Sequence, residues 1–186
     1  STIALGMVRD VLEVPIVGTV PAIKPAAALT QSGVIGLLGT EATIRQPYVD
    51  RLEHEFASGK HLLRHGAPEL VAAAEAKLRG EAVDSAVFTR AADGLRMQPL
   101  GEAIDTVVLA CTHFPLVEAE LAVAFGPGVR FVHGAQGIAR RIAHLCEGQA
   151  FTRNQPNLAL FTRNEPELAK LTPSLRSYGL TRSATF

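Results

Sequence analysis

Short apolar runs rich in β-branched residues recur along this chain, separated by longer stretches of helical period. The runs predict strands at 14–18, 34–39, 61–65, 106–110, 129–133 and 158–162. The stretches between them predict helices near 21–31, 43–56, 68–78, 115–125, 137–147 and 165–171, with a further helix over 82–97. Pro68 and Pro115 suit the first helical position, where a missing N–H costs nothing. The stretch 67–78 is alanine-rich and otherwise made of strong helix formers. Strands alternating with helices predict an α/β fold with mostly parallel sheets.

Composition narrows the class. With 186 residues, 47% hydrophobic and 19% charged, the chain is globular and long enough for one ordinary domain or two small ones. Lysine plus arginine equals aspartate plus glutamate at 18 each, so no basic excess points to nucleic acid or an anionic membrane. No apolar run reaches the roughly 18–20 residues that span a bilayer. The opening Ser-Thr-Ile-Ala-Leu-Gly lacks the basic and apolar regions of a signal peptide, and it lacks an initiator methionine. Two cysteines, Cys111 and Cys146, are too few for a disulfide framework, which makes a reduced, cytoplasmic protein the expectation. His54, His61, His65, His133 and His144 show no compact ligand spacing, so no metal is expected.

Chemistry is expected at strand ends, because ligands of open α/β sheets bind beyond the carboxyl ends of the strands. The buried apolar strand at 106–110 delivers Cys111, Thr112 and His113 into a turn before a helix expected near Pro115. A helix N-terminus or a nearby cation activates a thiol, and exposed N–H groups there bind carboxylates. His113 can donate a proton, act as an electrostatic partner or bind substrate. The plainer alternative is a small apolar cysteine beside a capping threonine. After the strand at 34–39, Thr40 can cap the next helix, while Thr43 can bond an incoming carboxylate. Glu75 reads by itself as a solvated helix glutamate. Cys146 reads as core packing.

Taken together, these segments resemble the glutamate racemase family. The most specific match is Thr-Val-Val-Leu-Ala-Cys-Thr-His-Phe-Pro-Leu at 106–116, which is similar to the family's strand followed by Cys-Thr-His-aromatic-Pro-Leu. The segments at 14–26 and 36–48 resemble the strand opening the family's second domain and its Thr-x-x-Thr segment with a downstream tyrosine. Residues 70–75 resemble a Leu-Val-Pro-Leu-Val-Glu segment, with alanines in place of larger residues.

The resemblance implies two flavodoxin-like α/β domains with the active site in the cleft between them. Residues 13–104 would form one domain, and 1–12 with 105–186 an incomplete other. It also implies cofactor-independent interconversion of L- and D-glutamate by two cysteines, one on each face of the α-carbon, supplying D-glutamate for peptidoglycan. Cys111 would be the thiol facing the L-glutamate α-hydrogen, assisted by His113. Thr112, His113, Thr40 and Thr43 would contact substrate, Glu75 would give acidic support, and a homodimer would be the assembly. Aspartate racemases, which share the pattern, usually carry Cys-Thr-Glu where this chain has Cys111-Thr112-His113.

Two departures bear on these expectations. The family's Asp-Ser glycine-rich segment, Tyr-Gly pair and Cys-Asn-Thr-Ala-Ser motif are not in this sequence, and Ser1 resembles the last residue of that motif. One of the two thiols would then be missing, and the chain alone is expected to be inactive. His133-Gly134 stands where the family often has Asp-Ser. The competing readings are an aspartate or related racemase, a Cys-His amidase or transferase, and a non-catalytic α/β binding remnant.

Overall fold

The computed structural model describes residues 5–186. Helix α1 (Leu5–Val11) is followed by an irregular stretch and then α2 (Ile23–Leu29). Next come β1 (Val34–Gly39), the short α3 (Glu41–Ile44), α4 (Pro47–Phe56), β2 (His61–Gly66), α5 (Glu69–Leu78) and α6 (Ala86–Arg96). The chain continues through β3 (Thr106–Leu109), α7 (Glu118–Phe125), β4 (Arg130–Val132), α8 (Ala135–Leu145), β5 (Leu158–Phe161), α9 (Leu168–Ser177) and β6 (Arg182–Thr185). Strands β1 to β4 form one all-parallel sheet in the order β2-β1-β3-β4, and β5 and β6 form a separate parallel pair.

The period of two along each central strand explains why helices cover both faces. Val34 and Leu38 of β1 and Val107 and Leu109 of β3 join a core with Leu70 of α5, Phe88 and Leu95 of α6, and Leu121 and Phe125 of α7. Ile35 and Leu37 of β1 and Val108 of β3 point to the opposite side, against Ile23 and Ala26 of α2 and Val49 of α4. All of these strand residues are buried, which accounts for the continuous apolar runs in the sequence. Gly36, at the middle of β1, lets α6 lie close: a Cβ there would sit 2.7 Å from Leu95 Cδ1 and 3.2 Å from Val107 Cγ2.

Three expectations change. The run at 14–18 forms no strand, because it runs irregularly along the surface with Val14 well exposed. Position 105 opens no new sheet: β3 pairs with β1, Ile35 facing Thr106 and Leu38 facing Leu109, so the boundary expected at 104/105 falls inside a single core. Finally, 43–56 is two helices, broken where Pro47 starts α4 after the Arg45–Gln46 link. Strand β6, Arg-Ser-Ala-Thr, carries no apolar pattern that announced it.

Asp105 ties the two halves of this sheet together. Its Oδ2 accepts from the backbone N–H of Gln31 and Ser32 at 2.7 and 2.9 Å, and its Oδ1 accepts from the hydroxyls of Thr30 at 2.6 Å and Thr106 at 2.9 Å. Burial pushes this carboxyl upward, yet the Thr30 hydroxyl, the two backbone donors and the Thr106 hydroxyl outweigh it and hold the group well below the usual carboxylate range. Since the folded-state value is depressed, the stabilisation is complete above the unfolded value of 3.8 and is lost as pH falls through the lower folded value. Asp105→Ala is expected to cost about 2–3 kcal/mol, since hydrogen bonds to a charged group are individually strong. Urea denaturation at pH 7 and pH 2.5 checks this, with the difference between variant and parent shrinking at the lower pH.

Candidate active site

A cavity of about 370 Å³ opens at the carboxyl ends of β1, β3 and β4. The sheet order explains its place. The chain runs from β1 to β2 on one side and then crosses to β3 on the other, so the connections leaving β1 and β3 diverge and open a crevice between them. Thr43 and Tyr48 enter from the β1 side, Cys111 and Thr112 from the end of β3, and His133, Gly134 and Ile138 from the end of β4 and the start of α8. Thr19 and Pro21, on the irregular stretch before α2, close the remaining wall.

Cys111 is half-buried, and its loop is shaped by backbone bonds from Phe114 N to Cys111 O and from Leu116 N to His113 O. Phe114, fully buried, anchors this turn in the core. The expected α-helix near Pro115 begins instead as a 3-10 turn over Phe114–Val117, and α7 follows only at Glu118. The helix terminus is therefore displaced from the thiol by a turn. An imidazole stands next to the thiol: Cys111 Sγ lies 3.8 Å from His113 Nδ1.

His113 in turn meets Glu75 across the gap between the β3 loop and α5, with Nε2 3.0 Å from Oε1. A carboxylate only accepts, so the shared proton sits on Nε2, and in the neutral imidazole the Nδ1 lone pair then faces the thiol. This is the orientation in which the imidazole takes the thiol proton and the resulting cation is held by Glu75. Lys77, two residues further along α5, donates to Leu116 O at 2.8 Å and pairs with Glu120, so α5 grips the Cys111 loop at two points. Burial raises the Glu120 carboxyl, and the Lys77 ammonium more than offsets this, leaving it below its usual range.

The residues expected from sequence thus divide. Cys111, Thr112 and Thr43 line the cavity. His113 and Glu75 form a row behind Cys111. Thr40 caps α3: its hydroxyl accepts from Thr43 N at 3.2 Å and lies 3.0 Å from the Thr43 hydroxyl, so it aims Thr43 at the cavity. Cys146 follows α8 and is not part of the lining. Sequence reasoning did not single out Gln46 or Thr19 as cavity residues, and it marked Tyr48 and His133 only through the family resemblance. The tyrosine was visible in the segment 36–48, but only folding turns it toward Cys111. Among the described residues no group of His, Cys, Asp and Glu could hold a metal ion.

Comparison with known proteins bears directly on this geometry. The profile of the Asp/Glu/Hydantoin racemase family matches residues 1–142. The chain belongs to this family. It is 68% identical over 151 residues to a glutamate racemase of Sphingopyxis alaskensis, covering 81% of this chain and 56% of that protein. It is 42% identical over 181 residues to a glutamate racemase of Salmonella typhimurium, covering 96% of this chain and 63% of that protein. The chain therefore spans less than two thirds of the length of these racemases. The crystal structure of Escherichia coli glutamate racemase in complex with L-glutamate and the activator UDP-MurNAc-ala matches with a TM-score of 0.90 and 38% identity, over 100% of this chain and 70% of that one.

The row Cys111–His113–Glu75 makes a measurable claim about thiol reactivity. His113→Ala is expected to slow alkylation of Cys111 by iodoacetamide at pH 7 by roughly tenfold, since the imidazole no longer takes the thiol proton. Peptide mass spectrometry should show Cys146 reacting at an unchanged rate in the same samples.

Proposed function

We propose that the protein carrying this chain racemises glutamate without a cofactor, with Cys111 as one of two proton-transferring thiols. One observation carries the reading: a half-buried cysteine at the cavity wall, backed by an imidazole and a carboxylate, in a member of the Asp/Glu/Hydantoin racemase family. Two-thirds identity to a curated glutamate racemase supports glutamate as the substrate. The E. coli enzyme binding L-glutamate supports it further.

In this scheme the proton of Cys111 passes to His113 Nδ1, and Glu75 stabilises the imidazolium. The thiolate then removes the α-hydrogen, and the electron pair of the C–H bond is left on the α-carbon, delocalised into the adjacent carboxylate. A second acid on the opposite face protonates that carbon and inverts it. A single fixed base would only return the proton to the face it left. In this reading the hydroxyls of Thr43 and Thr112, two residues of the cavity wall, receive the substrate carboxylate, and the Thr40 hydroxyl supports that of Thr43. The expected role is supply of D-glutamate for peptidoglycan. We read β5, β6 and α9 as belonging to a second lobe, with the cavity as the cleft between lobes and a homodimer as the assembly.

An amidase or transferase fits the geometry less well, because the imidazole next to Cys111 comes from the same loop and leans back toward α5 rather than over the cavity. No described helix is long and apolar enough to cross a membrane.

The test is exchange of the glutamate α-hydrogen with deuterated solvent, together with racemisation followed by circular dichroism. Both are expected from the protein that carries this segment. Cys111→Ala should lower racemisation by about 10²- to 10⁴-fold, the range of a lost acid/base group. Among the described cysteines only Cys111 lines the cavity, so the 186-residue chain alone should not racemise at a measurable rate. An acyl-enzyme on Cys111, with no α-hydrogen exchange, would select the amidase reading instead.

A further inference from the structure

The row behind Cys111 does not end at Glu75. The second oxygen of that carboxylate, Oε2, lies 3.5 Å from an Nη1 nitrogen of Arg79, one turn further along α5. The same guanidinium turns its Nε to Glu81 Oε2 at 3.1 Å. Glu81 then meets Lys170 of α9 at 3.2 Å, and Lys170 meets Glu167 at 2.8 Å. Charges alternate in sign along the whole path. Two hydrogen bonds to Glu81, from Lys170 and Arg79, hold this carboxylate below its usual range. A separate bond, from the Ser174 hydroxyl to Leu78 O at 2.6 Å, fastens α9 to the same end of α5.

The geometry points to Arg79 as a positioning residue for the Cys111–His113 pair, acting through Glu75; the inference rests on the acid/base reading of Cys111 given above. Glu75 is 40% exposed, and a free glutamate carboxylate with three side-chain torsions spends most of its time in water. Something must hold it against His113. Arg79 is less exposed than Glu75 and presents a rigid planar fork, so it can serve two carboxylates at once without moving. One nitrogen forms an ion pair with Glu75 Oε2, leaving Oε1 directed at His113 Nε2. The other takes Glu81, which is anchored from the far side by Lys170. Arg79 touches neither the thiol nor the cavity, and its effect reaches Cys111 only by fixing where the carboxylate sits.

Charge alone makes the opposite demand. A cation beside Glu75 weakens the field that stabilises an imidazolium on His113, so a purely electrostatic Arg79 would slow the thiol and its removal would speed it. Positioning and electrostatics thus predict changes of opposite sign, which makes the role measurable. At a partly exposed site with ordinary screening, direct contact between Glu75 and His113 outweighs the more distant repulsion from Arg79.

The test is site-resolved alkylation by iodoacetamide at pH 7, with Cys146 in the same sample as the reference thiol. Arg79→Ala should slow Cys111 by about fivefold, the scale of one partly exposed ion pair, and leave Cys146 and the thermal midpoint unchanged. Arg79→Lys keeps the charge but not the fork and should recover less than half of the loss. An unchanged or faster Cys111 in Arg79→Ala overturns the proposal, as does full recovery with lysine. If His113→Ala slows Cys111 while Arg79→Ala does not, the positioning role fails and the acid/base reading stands. If neither variant slows it, both fail.

Discussion

The pairing of β1 with β3 is the constraint on which the rest of this structure depends. The two strands are separated in sequence by α3, α4, β2, α5 and α6, yet they lie side by side with Ile35 against Thr106. That single juxtaposition makes β1 and β3 the centre of the sheet, fully covered on both faces. It also sets their carboxyl ends next to each other, so that Thr43 and Cys111 face one cavity. Asp105 secures the pairing at its other end by collecting the N–H groups of the turn before β1. The site and the core are consequences of one register.

Within that frame, α5 supplies most of the polar groups that stand behind Cys111 and His113. Its buried face, Leu70, Ala73 and Ala74, seats it on the sheet. The alanines let it pack closely, and its other face then carries Glu75, Lys77 and Arg79 toward the β3 loop and α9. Glu75 reaches His113, Lys77 holds the carbonyl of Leu116, and Arg79 bridges Glu75 to Glu81. The carboxylate and the cations that back the Cys111–His113 pair therefore come from a helix that contributes nothing to the cavity lining itself. The thiol stands at the cavity wall with its imidazole and carboxylate behind it, which leaves its front open to the cavity.

His133 and Gly134 give the far wall a character of its own. The imidazole Nδ1 of His133 accepts from Ala135 N, the first residue of α8, at 3.3 Å, and its Nε2 faces Glu118 at 3.7 Å. Gly134 has Thr19 pressed close to it: a Cβ at this position would lie 2.4 Å from the Thr19 hydroxyl oxygen. A larger residue here would have to turn the Thr19 hydroxyl away, since the Thr19 Cβ and Val20 backbone lie at ordinary contact distance. The His-Gly pair and the close approach of Thr19 belong to one local arrangement.

The sequence by itself determined the parts whose signal is local. Continuous apolar runs marked β1 and β3 because a strand buried on both faces leaves no polar alternation. The turn after β3 was legible because Cys111, Thr112, His113 and Pro115 follow one another directly. Thr40 was legible as a cap, since its partner is three residues away. What only the tertiary structure decided is every relation that spans sequence distance. Glu75 and His113 are 38 positions apart, and nothing in the helix pattern of 68–78 distinguishes a glutamate aimed at an imidazole from one in solvent. The run at 14–18 looked like a strand because hydrophobicity alone does not reveal whether a neighbouring strand is there to pair with it. The boundary expected at 105 failed for the same reason: strand pairing is a non-local choice, settled by which faces can be buried together, and β3 found its partner in β1.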